Sequence, residues 1–257
     1  PLIQALSGLA SIQGGSDSER PRLVRTILPD KLTGTVTAQA ITAALLARTR
    51  TNEGQHIRIS MLDTILAFLW GSDMGTQTLL ENPVSQQDAA SFIDLIYETS
   101  DGYISVAVQT NKEWQGLIRA FDTPEWLEDE RFKTPALRQQ NIDDRLYMTQ
   151  NILITKSSEF WLKKLESEDV PCAPVLTRSE AIVHPQAIAN KILIETDHHR
   201  AGTIRQTRPA AHFSKTTFTV HRGGPALGEH TQEILSEIGY TTKEIEYIRS
   251  LNKDLVK

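Results

Sequence analysis

Between Leu23 and Leu69 the spacing of apolar residues changes repeatedly, and each change predicts a new element. Leu23, Val24, Ile27 and Leu28 form a short apolar run that ends at Pro29-Asp30. From about Lys31 to Arg50, the residues Leu32, Val36, Ala40, Ile41, Ala44 and Leu45 recur at the three-to-four spacing of a core-facing helix, with Thr, Gln and Arg outside. Asn52-Glu53-Gly54 predicts a turn. The period then falls to two: Ile57, Ile59 and Met61 alternate with His56, Arg58 and Ser60, as in a half-buried strand. A second helix is expected to open at Asp63. Helix, turn, strand and helix in close succession predict an α/β layer arrangement.

The flanking patterns are different. Gly14-Gly15-Ser16-Asp17-Ser18 reads as a turn-rich link after an opening helical piece, and Gly71 to Ser91 loses all periodicity, as a connector does. From Phe92 a second unit begins. Ile93, Leu95 and Tyr97 alternate, Ser100-Asp101-Gly102 turns, and Tyr103 to Val108 returns, which predicts a hairpin. Helices are expected over Lys112–Phe121, after Thr123-Pro124, over Ile142–Ile154 and over Ser158–Glu168. Trp114, Leu117, Ile118 and Phe121 share one face, as do Phe160, Trp161 and Leu165, and both sets read as core. Beyond Gln186, Ile192-Leu193-Ile194 and Gly202 to Gln206 predict strands leading to Arg208-Pro209. Gly223-Gly224-Pro225 predicts a turn, and Thr231–Ile238 and Thr242–Leu251 predict short helices, the second with Thr241 and Glu244 at capping-box spacing.

Composition narrows the function classes. Over 257 residues, 39% hydrophobic and 23% charged content is that of a globular protein, and no apolar run approaches the ~20 residues of a membrane span. A net charge of -5 with interspersed signs argues against nucleic acid or membrane as a partner. The single Cys172, between Pro171 and Pro174, makes no internal disulfide and reads as a structural thiol suited to a reducing cytosol. His198, His199 and His212 lack metal-site spacing, so no metal is assigned. His230 reads as a helix start, and Arg20, Arg22 and Arg25 as a solvated edge more than a phosphate site.

Asp30 is the candidate for chemistry. At the junction of the apolar run and the helix it reads either as an ordinary N-cap or as a carboxylate held at the helix's positive end beside a substrate pocket, where it is a competent nucleophile toward an activated acyl group. Spacing alone leaves both readings open.

The blocks Pro1–Gly8, Arg22–Gly34 (RLVRTILPDKLTG), Ala43–Arg48 and Gly54–Asp63 resemble the central block of the class III coenzyme A transferases, the group of formyl-CoA transferase, carnitine CoA-transferase and α-methylacyl-CoA racemase. Asp101-Gly102, Trp114, Asp129-Glu130-Arg131-Phe132, Arg138, Asn141, Pro171 to Val175, His184-Pro185-Gln186 and Leu227 to Thr231 follow in the family's order. The resemblance implies an α/β fold: part of a Rossmann-like large domain over residues 1–70, a connector over 71–91, a small α+β domain over 92–190, and a return over 191–257 whose terminal helices rejoin the large domain. It implies that most of the nucleotide-binding layers belong to an amino-terminal part preceding Pro1. It also implies that Asp30 is the catalytic carboxylate and that coenzyme A is moved from an acyl-CoA to a small carboxylic acid, as substrate rather than permanent cofactor. The partner it implies is a second copy, in an interlocked homodimer. Which residues bind coenzyme A is left unassigned. The glycine-rich loop that formyl-CoA transferases carry after the connector has no counterpart, which argues against a formyl/oxalyl pair. Two alternatives are a 2-methylacyl-CoA racemase with Asp30 as acid/base, and an inert fragment.

Overall fold

The computed structural model describes residues 1–15, 17–81, 95–220 and 222–252. The chain divides into two compact units, Pro1–Val175 and Leu176–Lys257.

The first unit opens with two short helices, α1 (Leu2–Leu6) and α2 (Leu9–Gly14), joined at Gly8, whose φ of 82° is the left-handed conformation glycine adopts without strain. Two longer helices follow, α3 (Leu28–Thr51) and α4 (Met61–Trp70). Leu9, Ile65 and Leu69 are buried between these elements, with Ile3, Val24, Leu28, Leu32 and Met74 packed around them. Buried Gln4 supplies the polar counterpart. Its carboxamide accepts from Val24 N at 2.9 Å and donates to the carbonyls of Val24 and Thr26, so it pins the segment that leads into α3.

Two expectations about this stretch are corrected. Helix α3 begins three residues earlier than the apolar spacing predicts, because Pro29 is compatible with a first helical turn and the Lys31 amide already bonds to Ile27 O. The predicted strand at His56–Met61 does not form. Ile57 and Ile59 are half-buried and His56, Arg58 and Ser60 exposed, as the alternation required, but among the described residues no neighbouring strand completes a ladder. Helix α4 therefore starts at Met61, with Ser60 Oγ accepting from Asp63 N at 3.2 Å; Asp63 lies in the first turn and Ser60 is the cap. Of the connector, Gly75–Gln77 form a 3-10 turn, while 82–91 lie outside the described residues, as does Ile93 of the hairpin.

The rest of the first unit is an antiparallel sheet backed by helices. Strands β1 (Ile96–Glu98) and β2 (Tyr103–Val106) pair with Tyr97 opposite Ile104. Helices α5 (Asn111–Phe121), α6 (Pro135–Gln140), α7 (Ile142–Leu153) and α8 (Ser158–Ser167) follow. A third strand, β3 (Cys172–Pro174), returns against β2 with Val106 opposite Cys172. Thr110 and Glu113 close a reciprocal capping box at the start of α5. Trp114, Trp126, Phe121 and Trp161 pack in a chain of ring contacts, centroids 5.3 to 5.9 Å apart, that forms the core together with Ile104, Leu117, Leu146, Leu153 and Leu165. Phe160, expected in this core, is exposed, with its ring in an edge-to-face contact with Trp161 at 5.1 Å between centroids. Pro124 opens a 3-10 turn to Leu127, but the hydroxyl of Thr123 does not cap it and is buried without a partner among the described residues.

The second unit carries α9 (Arg178–Ala181), α10 (Pro185–Ala189), the hairpin β4 (Leu193–His198) with β5 (Gly202–Thr207), α11 (Thr231–Glu237) and α12 (Thr242–Asn252). Arg208 ties the hairpin to the end of α10 by donating to Asn190 O at 2.8 Å and Lys191 O at 3.1 Å. All strand pairs among the described residues are antiparallel.

Candidate functional site

Asp30 is the third residue of α3 and is exposed. This revises its local role: the cap position belongs to Ile27, which offers no side-chain bond, so Asp30 stands inside the first turn. The first amides of a helix have no intrahelical acceptor, and Pro29 has no N–H to offer. The helix's positive end is thus open toward an anion at this turn. Thr33 and Gly34 lie within the helix, where their amides are committed to Pro29 O and Asp30 O and so are not free donors.

The helix places Gly34 one turn beyond Asp30, on the same face. A Cβ built on Gly34 meets no atom within 4 Å among the described residues, so the flank of Asp30 is bare backbone and open space. Thr33 Oγ1, three residues from Asp30, is buried without a hydrogen-bond partner among the described residues. The spacing Asp30-x-x-x-Gly34 is the sequence signal for this flank. Lys31 Nζ is held by Thr26 Oγ1 at 3.0 Å, just before the helix. Arg20, Arg22 and Arg25 are exposed on the segment that Gln4 pins, with no carboxylate partner among the described residues. Farther along, Ile41, Leu45 and Leu46 of α3 and Phe68 and Trp70 of α4 leave apolar surface exposed.

Other singled-out residues have structural partners. Cys172 sits half-buried in β3 with its thiol pushed up by burial, and then by the Glu166 charge, which makes it a poor nucleophile. His198 and His199 stack with ring centroids 4.7 Å apart; His198 Nε2 donates to Gly224 O at 2.7 Å, and His199 Nε2 lies 3.2 Å from Glu229. His230 precedes α11 without capping it, 3.6 Å from Glu233. Among the described residues no group of three or more His, Cys, Asp or Glu side chains is placed to hold a metal, and no helix is long and apolar enough to cross a membrane.

Comparison with known proteins gives this arrangement its context. The chain is 28% identical over 243 residues to human succinyl-CoA:glutarate CoA-transferase, covering 92% of this chain and 54% of that protein. It is 28% identical over 270 residues to the formyl-CoA:oxalate CoA-transferase of Shigella sonnei, covering 95% of this chain and 64% of that one. The chain thus spans only about half to two thirds of these relatives. In fold it is similar to a CAIB/BAIF family protein from Brucella suis, with a TM-score of 0.75 at 24% identity, covering 92% of this chain and 61% of that one. Rv3272 from Mycobacterium tuberculosis is similar as well, with a TM-score of 0.74 at 23% identity, covering 89% and 61% of the two chains. The model of CoA-transferase family III matches residues 1–231, which takes in α3 with Asp30, the small sheet and most of the second unit, and the chain belongs to that family.

Proposed function

We propose that this chain carries the catalytic carboxylate of a coenzyme A transferase and that Asp30 is that group. The observation that carries the reading is an exposed carboxylate in the first turn of α3, with an unobstructed flank at Gly34. The relatives named above are transferases between an acyl-CoA and a dicarboxylic acid, which supports an acyl-CoA donor and a small carboxylic acid acceptor. Those names give no support to the racemase alternative.

In the proposed cycle, an oxygen of Asp30 attacks the donor's thioester carbonyl, the C–S bond breaks, and coenzyme A leaves as thiolate. Asp30 is then one half of a mixed anhydride. The thiolate attacks the Asp30 carbonyl carbon and expels the donor's carboxylate, which leaves an Asp30–CoA thioester. The acceptor carboxylate attacks the same carbon, releasing the thiolate and forming a second anhydride. The thiolate attacks the acceptor's acyl carbon, which frees the new acyl-CoA and regenerates the Asp30 carboxylate. Each step exchanges one acyl bond for another of comparable reactivity, which is the advantage of a covalent route. The role of this chain's residues is to present the carboxylate at a helix start, where the developing oxyanions meet the unpaired first-turn amides.

The proposal extends to the whole protein: an interlocked homodimer in the cytosol, with residues 1–70 completing a Rossmann-like large domain, 71–91 as connector, 92–190 as small domain and 191–257 as the return. Asp30→Ala in the whole protein is expected to abolish CoA exchange while leaving the fold intact. Retained turnover in that variant removes Asp30 from the mechanism.

A further inference from the structure

In the second unit the half-buried His198 closes strand β4 at the tip of the β4–β5 hairpin, and its ring is fixed from several sides. Nδ1 accepts from the amides of Arg200 at 3.2 Å and Ala201 at 3.1 Å, which turn the chain back into β5. Nε2 lies 2.7 Å from Gly224 O, and a carbonyl oxygen only accepts, so Nε2 carries the proton. The ring is therefore neutral, with its one acceptor and its one donor both in use. The backbone of Gly223 passes so close that a Cβ there would stand 2.8 Å from His198 Cδ2. One imidazole thus fastens the stretch that leads into α11 to the hairpin tip.

The charged groups around it respond to acid in a different way. His199 stacks on His198 with ring centroids 4.7 Å apart, and its Nε2 lies 3.2 Å from Glu229 Oε1. The Ala226 amide, donating at 2.6 Å, is the main cause that holds the Glu229 carboxyl below its ordinary range. A proton on His199 therefore completes an ion pair and breaks no bond. His230 has Glu233 at 3.6 Å to pair with in the same way, and Glu233 also accepts from Arg222 at 2.9 Å. On the hairpin, Asp197 accepts from Thr203 at 3.1 Å, and Arg200 adds a positive charge to the turn itself. At His198 a proton on Nδ1 turns an acceptor into a donor that faces two other donors, and it sets a second positive charge against a charged His199.

We propose that His198 is an acid-released clasp: as the neutral ring it holds the 223–229 stretch on the hairpin tip, and once protonated at Nδ1 it lets that stretch go. The proton comes from solvent, and the bonds lost are the two from the Arg200 and Ala201 amides. Histidine changes charge between about pH 5 and 8, and the release is expected in that interval. The clasp uses no residue of the cycle proposed for Asp30, so either stands if the other fails.

Nitrogen-15 NMR of the full chain tests the clasp. At pH 7.5 the ring nitrogens of His198 are expected to report the Nε2–H tautomer, with the Arg200 and Ala201 amides protected from exchange with water. At pH 5 that exchange, corrected for the pH dependence of the chemical step, is expected to speed up roughly tenfold or more, as the loss of two hydrogen bonds implies. In His198→Asn the carboxamide oxygen takes over the Nδ1 position and binds no proton in this range, so both amides are expected to stay protected at both pH values. Gly223→Ala, whose methyl displaces the ring, is expected to show the acid pattern already at pH 7.5. An Nδ1–H tautomer at pH 7.5 overturns the proposal. So does equal protection at the two pH values in the unaltered chain, an acid release that His198→Asn retains, or full protection in Gly223→Ala. If a variant does not fold, the tautomer and acid response of the unaltered chain decide.

Discussion

Replacing Gly34 with Ala separates a passage for substrate from bare helix surface. Gly34 lies one turn beyond Asp30, and a Cβ there meets nothing within 4 Å among the described residues. In an exposed helix interior Ala is favoured over Gly by about 0.8–1.0 kcal/mol, because glycine loses more backbone freedom on folding. Gly34→Ala is therefore expected to stabilise the chain by roughly 1 kcal/mol, or about 2–4 °C for a protein of this size. If the acyl thioester reaches Asp30 across this face, the added methyl stands in its path. A misplacement of about 1 Å at a reacting centre costs up to ~100-fold, so kcat/KM for CoA exchange is expected to fall tenfold or more. Gly116→Ala is the counterpart: its Cβ would lie 2.5 Å from Glu168 O and 2.9 Å from Val170 Cγ2, an overpacking worth about 1–3 kcal/mol of destabilisation. Urea unfolding of both variants, with steady-state CoA exchange in the whole protein, measures the two effects separately. Unchanged kcat/KM in Gly34→Ala refutes the passage, and a loss of stability in that variant refutes the open flank.

Three further outcomes follow from individual contacts. The Ser158 amide at 2.7 Å, then the Ser158 and Thr99 hydroxyls, hold the Asp101 carboxyl below its ordinary range. That stabilisation is present above the unfolded value of about 3.9 and is lost as pH falls through the lower folded value. Asp101→Asn should thus lower the unfolding temperature at pH 7, with the gap to the unaltered chain closing below about pH 4. Tyr97 has the opposite sign: with its phenol pushed up to about 12, the chain loses stability as pH rises from about 10 toward 12, by roughly 1.4 kcal/mol per unit, and Tyr97→Phe should flatten that limb in denaturant titrations. Gln4→Leu leaves the Val24 amide and two carbonyls unpaired, and is expected to cost about 1–3 kcal/mol in chemical denaturation, with increased proteolysis between Arg20 and Thr26.

What the sequence made legible was local. Helices α5, α7 and α8 fall within a residue or two of their expected bounds, because apolar spacing and the Thr110 and Ser157 caps are written within each segment. The Thr241–Glu244 capping box forms as its spacing predicts, with Thr241 N donating to Glu244 Oε2 at 2.7 Å. The misses involve distant partners. His56–Met61 has the alternation of a strand but no strand to pair with among the described residues, whereas Cys172–Pro174 is too short to show alternation and becomes β3 because β2 offers an edge. Asp30 lies at the entrance to α3, as its position between the apolar run and the helix indicates, but its place inside the first turn depends on where the backbone closes its first bond, at Lys31 to Ile27. The closeness of the His198 ring to Gly223 and Gly224 joins distant stretches of the chain, and no spacing rule reveals it.

Mass spectrometry of the peptide that contains Asp30, after the whole protein is mixed with an acyl-CoA and quenched in acid, asks whether the carboxylate becomes acylated. The proposed cycle predicts coenzyme A attached as a thioester at Asp30, discharged on addition of an acceptor carboxylate and absent in Asp30→Asn. Turnover with no adduct at Asp30, or an adduct on another residue, contradicts it.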